Sequence, residues 1–348
     1  MGQGQWSGST YDARTAAKRA AGQDQFTYNQ TQSSLPPSQR KVHDSMDPKL
    51  VAGDKSPHAG QIMRECMITD EHPDPTPIAV FFDQTGSMGS IPRVLQQKLA
   101  ALHGLLVRKG YASDPQVMFG AIGDARNNER GPLQVGQFES DNRMDENLEN
   151  IYLEGNGGGQ GHETYELGLY FLDRHTYLEP FEKQGKKGYA FFIGDERAYP
   201  KVDHRIVKNY IGDNLAESLD TKDLVKSLEE RYHVYFLFAK QGSYAEDYTL
   251  GSPGEDTQGT AYKSYSWRQL LGERAIPLDD AAAVCEVIAG IVGILETGVT
   301  IDDAVADFEE VGSSKSTAQA AGRALATVAA GSSPVARGTG NLPGLDEE

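Results

Sequence analysis

The stretch Ile78-Ala79-Val80-Phe81-Phe82-Asp83-Gln84-Thr85-Gly86-Ser87-Met88 runs five apolar residues into a carboxylate and two hydroxyls. Five apolar residues without polar alternation read as a strand buried on both faces, the pattern found where helices cover both sides of a parallel sheet. Asp83 then falls at the end of that strand. A carboxylate there is costly unless something cationic or phosphorylated sits beside it. The strand end is therefore a candidate site as well as a fold signal.

Working outward, runs of strand length recur at 117–122, 133–138, 189–193, 234–238 and 275–278. Helical periodicity fills the intervals. Ser90 is placed to cap a helix whose stripe is Ile91, Val94, Leu95, Leu99, Leu102 and Leu106, with Pro92 tolerated in its first turn. Further helices are expected over 143–152, 164–175, 221–231, 266–271 and 280–295. The runs from Ile78, Tyr189 and Val234 are apolar throughout, which predicts a doubly wound α/β domain with a mostly parallel sheet. The short link from Ile122 to Gly131 suits a hairpin and predicts one antiparallel edge strand.

Residues 1–74 are rich in Gln, Ser, Pro and charge and are expected to form an irregular extension with one short helix from Tyr11 to Ala21. The α/β domain is expected over 75–298. An acidic helical segment and a mobile tail should follow over 299–348. The chain has 348 residues, 33 Lys+Arg against 50 Asp+Glu and a net charge of -17, which disfavours nucleic acid or an anionic membrane as a partner. Cys66 and Cys285 are expected to be free, packed thiols, as in a reducing compartment. No signal-peptide core precedes the domain, Trp6 breaks the myristoylation pattern, and the apolar run 281–295 is short and carries Glu286, so a cytoplasmic setting is expected.

In a doubly wound sheet, ligands sit at the carboxyl ends of the strands. Three loops at that edge carry oxygen donors: Asp83-Gln84-Thr85-Gly86-Ser87, the Gly-rich 155–164 ending in His162-Glu163-Thr164, and Gly194-Asp195-Glu196. Hard oxygens alone suit Mg²⁺, Mn²⁺ or Ca²⁺ and not Zn²⁺. A zinc-protease helix is excluded because Glu166 stands four residues after His162, and no Lys follows the glycines to make a phosphate cradle. Asp124, at the end of the 117–122 strand, reads equally as a supporting residue or a plain turn Asp. His204 and His233 read as structural.

The three loops in this order resemble the metal-ion-dependent adhesion site (MIDAS) of the von Willebrand factor A domain family, in its intracellular prokaryotic or phage type, over 75–298. The resemblance implies a divalent cation, Mg²⁺ or alternatively Mn²⁺ or Ca²⁺, bound directly by Thr85 and Ser87 and largely through water by Asp83 and Asp195. Thr85 stands where the family usually has Ser, which keeps the hydroxyl. In the Gly-rich loop either Glu163 or Thr164 falls at the ligand position; the register favours Glu163, with Thr164 as helix cap. The implied function is protein binding within a multiprotein assembly, the partner presenting an acidic side chain at the cation. An AAA+ ATPase system is one such partner by family analogy.

The same first stretch also resembles the nucleophile motif of the haloacid dehalogenase superfamily. That resemblance implies a Mg²⁺-dependent phosphatase or phosphotransferase in which Asp83 is phosphorylated, with Lys187 and Asp195 as later motif residues. Thr85 stands where most of that superfamily has its general acid, and the Asp-rich run is missing, so the binding module is the favoured reading.

Overall fold

The computed structural model describes residues 4–23, 26–99, 101–127, 129–155, 161–251 and 264–331. Its frame is a six-stranded sheet built from β1 (Thr76–Asp83), β2 (Pro115–Ile122), β3 (Leu133–Val135), β4 (Gly188–Gly194), β5 (Tyr232–Ala239) and β6 (Ala275–Leu278). The order is β6-β5-β4-β1-β2-β3. All neighbours are parallel except β2 and β3, which run antiparallel at the edge. The fold is thus a doubly wound α/β sheet, and every residue of β1 is buried.

Alternation along β1 feeds two cores. Ile78, Val80 and Phe82 face the first, under α2 (Ile91–Leu99), α3 (Leu102–Arg108), α4 (Arg143–Glu149) and α7 (Val284–Thr297); Ala79 and Phe81 face the second, under α5 (Tyr165–Arg174) and α6 (Thr221–Leu228). Both faces of β1 are therefore dry, as its unbroken apolar run requires.

Two local expectations change. The stripe from Ile91 to Leu106 lies on two helices instead of one, and the break lets Leu102, Leu105 and Leu106 bury themselves against α7. The run over 133–138 forms strand only over Leu133–Val135; the Gly136 amide still donates to the Phe119 carbonyl at 2.9 Å, and the chain returns for a bridge between Val117 and Glu139.

The segments flanking the sheet pack onto it. In the helix Gly8–Ala20, Arg14 pairs with Glu146 at 3.0 Å and Lys18 with Glu149 at 2.6 Å, while Trp6 Nε1 donates to Asp145 Oδ2 at 3.1 Å. The strand Arg64–Cys66 pairs in parallel with Thr176–Leu178. Buried Arg64 donates to the carbonyls of Leu50 (2.7 Å) and Asp47 (2.8 Å), which ties the loop before it in place. After α7 come α8 (Ile301–Glu310) and α9 (Lys315–Gly331), whose Ala318, Ala321 and Leu325 join the first core. The tail expected to be mobile lies beyond residue 331, outside the described residues. Cys66 and Cys285 are free and buried. No helix among the described residues is long and apolar enough to cross a membrane.

Candidate metal centre

The chain starts the sheet at β1, adds β2 and β3 on one side, then crosses to β4 on the other. The crevice at the carboxyl ends of β1 and β4 is therefore the switch point, where loops diverge and leave room for a ligand. Asp83 ends β1 and Asp195 follows β4, so both carboxylates are delivered to it.

Asp83 is fully buried. Its Oδ1 accepts from the Thr85 backbone N–H (2.7 Å) and the Thr85 hydroxyl (2.6 Å), an Asx turn that shapes the loop. Its Oδ2 accepts from the Tyr165 hydroxyl at 2.8 Å. Tyr165 reaches across Gly194, where a Cβ would lie 1.7 Å from the phenol oxygen, so only glycine fits. Thr85 Oγ1 lies 3.2 Å from Ser87 Oγ, and Ser87 donates to Asp195 Oδ1 at 2.8 Å. The loop after β5 closes over this chain: the amides of Ser243 (2.7 Å) and Tyr244 (3.3 Å) donate to Asp195 Oδ2, and the Ser243 hydroxyl donates to the Ser87 carbonyl at 2.7 Å.

Asp83, Asp195 and Glu196 bring carboxylate oxygens within 4.8 Å of one another. Glu163 joins them: its short strand His162–Glu163 pairs in parallel with Arg197–Ala198, and its carboxyl lies beside that of Glu196. Burial raises the pKa of all four. Asp83 is pushed up to about 8, first by burial and then by repulsion from Glu196 and Asp195. Glu163 is raised further by burial and by Asp83; Asp195 and Glu196 rise chiefly through burial. Such a cluster is poised for a cation that would favour its charged forms.

Of the residues singled out from sequence, Asp83, Thr85, Ser87 and Asp195 meet in one hydrogen-bonded chain, with Glu163 beside them. Thr164 does not join them. It stands at the N-cap position of α5, but its hydroxyl donates to the Gly123 carbonyl (2.5 Å) and accepts from the Ala125 amide (3.3 Å), which binds the Gly-rich loop to the loop after β2 instead of capping the helix. Asp124 makes a turn, accepting from the Arg126 amide at 2.9 Å, and is also raised by burial near the cluster. Lys187 lies at the opposite end of β4, donating to the Glu229 carbonyl at 2.8 Å, too far away for the lysine role in phosphoryl transfer. Residues 156–160 of the Gly-rich loop lie outside the described residues.

Sequence reasoning named Glu196 only as part of its donor loop and not among the ligands. Strand alternation would place it on the face opposite Asp195, but the chain has already left the sheet at Gly194, and Glu196 comes within reach of Asp83 and Asp195. Its only signal was adjacency to Asp195.

The donor set fits a hard divalent cation. Every side chain in it offers oxygen, and Oε2 of Glu163 and Oε2 of Glu196 are buried without a hydrogen-bond partner. The residues placed to hold such an ion are Asp83, Thr85, Ser87 and Asp195, with Glu163 and Glu196 adjoining.

The sequence matches no protein-family model and no curated protein. Among solved structures it is similar to the open conformation of the pilus adhesin SpaC from Lactobacillus rhamnosus GG, at 11% identity and TM-score 0.42, over 64% of this chain and 30% of that one. It is also similar to proximal thread matrix protein 1 from the mussel byssus, at 9% identity and TM-score 0.38, over 63% of this chain and 46% of that one. The chain thus spans under half the length of either protein, and likenesses this distant carry no argument about function.

Proposed function

We propose that this chain is a divalent-cation-dependent protein-binding module of the von Willebrand factor A type, working as a component or adaptor of a multiprotein assembly. The observation that carries the reading is the 2.8 Å bond from Ser87 to Asp195, which joins the loops of β1 and β4 into one chain of oxygens. Thr85 and Ser87 would hold Mg²⁺ through their hydroxyls, and Asp83 and Asp195 would hold it largely through water, as the resemblance implies. The ion supplies a positive charge at the sheet edge, to which a partner's carboxylate is drawn. Ser87 is half-buried while Asp83, Thr85 and Asp195 are buried, so the approach is over Gly86, Ser87 and Ser243.

The test is capture of partners by the immobilised protein in Mg²⁺ and in EDTA, with Ser87→Ala alongside. Capture that needs both Mg²⁺ and Ser87 supports the reading. Capture indifferent to both refutes it and moves the binding surface to the segments flanking the sheet.

A further inference from the structure

A cavity of about 450 Å³ lies at the amino end of the sheet, where β1 and β2 begin, and contains none of the residues of the metal centre. Trp6, Pro73, Val107 and Pro115 give it apolar walls. The indole of Trp6 leans on α3 at Gly104, where a Cβ would lie 2.7 Å from the ring, and its centroid is 5.8 Å from that of His103.

A polar chain fixes one side of the cavity. Asp114 Oδ1 is bonded to His72 Nδ1, and His72 Nε2 lies 2.9 Å from Ser140 Oγ and 3.0 Å from the Gly4 carbonyl oxygen. The order is that of a hydrolytic triad. Ser140, however, is 1% exposed and its hydroxyl donates to the Gly4 carbonyl at 2.9 Å, so the chain anchors the amino-terminal arm and presents no nucleophile.

Two polar atoms of residues lining the cavity are left over. Asp114 Oδ2 and His103 Nδ1 are buried without a hydrogen-bond partner, and His103 as a whole is 6% exposed. Burial pushes the His103 pKa down to about 4, so the ring is neutral. The Pro115 carbonyl lies beside it while Nδ1 bonds nothing, which puts the ring proton on Nε2 and leaves Nδ1 a lone-pair acceptor. Both orphans are therefore acceptors, and buried acceptors without donors are costly. Among the described side chains lining the cavity, Glu71, Asp74 and Asp114 are acidic and Arg108 is the one guanidinium. Asp74 is answered by Lys186 at 2.9 Å.

We propose that this cavity binds a guanidinium group carried on an apolar stem, as in a free alkylguanidine or an arginine side chain of another protein. A guanidinium brings several N–H donors in one plane, enough to serve both orphaned acceptors, and its charge answers Asp114. It is weakly hydrated and stacks on aromatic faces, which suits a partly apolar cavity walled by an indole. The stem packs on Pro73, Val107 and Pro115.

Calorimetry on the full chain in EDTA tests the cavity with the metal centre kept free of ions. The probes are butylguanidinium, butylurea, which has nearly the same shape without the charge, and the peptide acetyl-Gly-Arg-Gly-amide. Butylguanidinium is expected to bind and butylurea not. Asp114→Asn, which keeps an acceptor for His72, should weaken butylguanidinium about tenfold or more, the loss of a hydrogen bond between charged groups. Trp6→Leu should weaken it too, with circular dichroism unchanged in both variants. Tighter binding of the peptide identifies a partner's arginine as the source, and tighter binding of butylguanidinium a free cation. Absence of binding by both guanidinium probes, equal binding of butylurea, or parent-like affinity in Asp114→Asn overturns the proposal and leaves the metal centre untouched.

Discussion

Ser87 and Asp195 stand 108 residues apart in the chain and share a hydrogen bond of 2.8 Å at the crevice between β1 and β4. Each is also held by the loop after β5, through Ser243. The chain of oxygens therefore has three strands behind it, and its members are positioned before any ion arrives. Preorganisation of this kind lowers the cost of binding.

Thermal stability reports the first consequence. Mg²⁺ or Mn²⁺ at a hundredfold excess over its dissociation constant is expected to stabilise the fold by about 2.7 kcal/mol. Asp83→Ala should abolish the gain. Calorimetry without heat, together with unshifted melting in both ions, refutes the site.

The pH dependence follows from Asp83, whose pKa rises from 3.8 to about 8 on folding. A raised carboxyl pKa stabilises the protonated fold, so its contribution is complete below pH 3.8 and is lost as pH rises through about 8. In EDTA, melting temperatures should therefore carry a falling component across this window. Cation binding needs the charged form, so affinity should climb over the same range and binding should release protons, measurable by calorimetry in buffers of different ionisation enthalpy.

Glu163 and Thr164 separate in one pair of variants. Glu163→Gln should weaken Mn²⁺ binding, because its carboxyl lies in the cluster. Thr164→Val should leave affinity close to the parent's but cost about 1–3 kcal/mol in stability, since the Gly123 carbonyl loses its hydroxyl donor. A loss of Mn²⁺ affinity confined to Thr164→Val contradicts this placement.

The loop over the site offers a probe that replaces no carboxylate. A Cβ at Gly242 would lie 2.3 Å from Asp195 Oδ2 and 2.6 Å from its Cβ, so Gly242→Ala must displace either the loop or the aspartate. Destabilisation of about 1–3 kcal/mol is expected on overpacking, with weakened ion binding by calorimetry. Parent-like behaviour in both measurements means the loop is not holding Asp195.

The sheet and the first motif were legible because apolar runs of strand length mark the strands, and Asp83 and Asp195 simply follow two of them. Tertiary demands hid the rest. The stripe from Ile91 to Leu106 keeps its helical period through a break, because both halves must bury the same kind of face. Glu196 was hidden because it lies past the end of β4, where no strand period places it. The segment that becomes α9 is rich in Ser and Ala and carries no strong apolar stripe, yet its small side chains allow close approach to α7, where Leu325 packs over Gly290.

The central place of β1 in the sheet sets a timetable. Ser87 and Ser243, whose hydroxyl reaches the Ser87 carbonyl, are 156 residues apart. At ordinary rates of synthesis the second emerges on the order of ten to thirty seconds after the first. Through that interval a nascent chain carries the first motif without the residues that close it. Contacts of such long range form late, so a bound ion should slow unfolding far more than it hastens folding. Its contribution is then to lifetime, and a chain stripped of the ion should differ from a loaded one chiefly in how long it persists once folded.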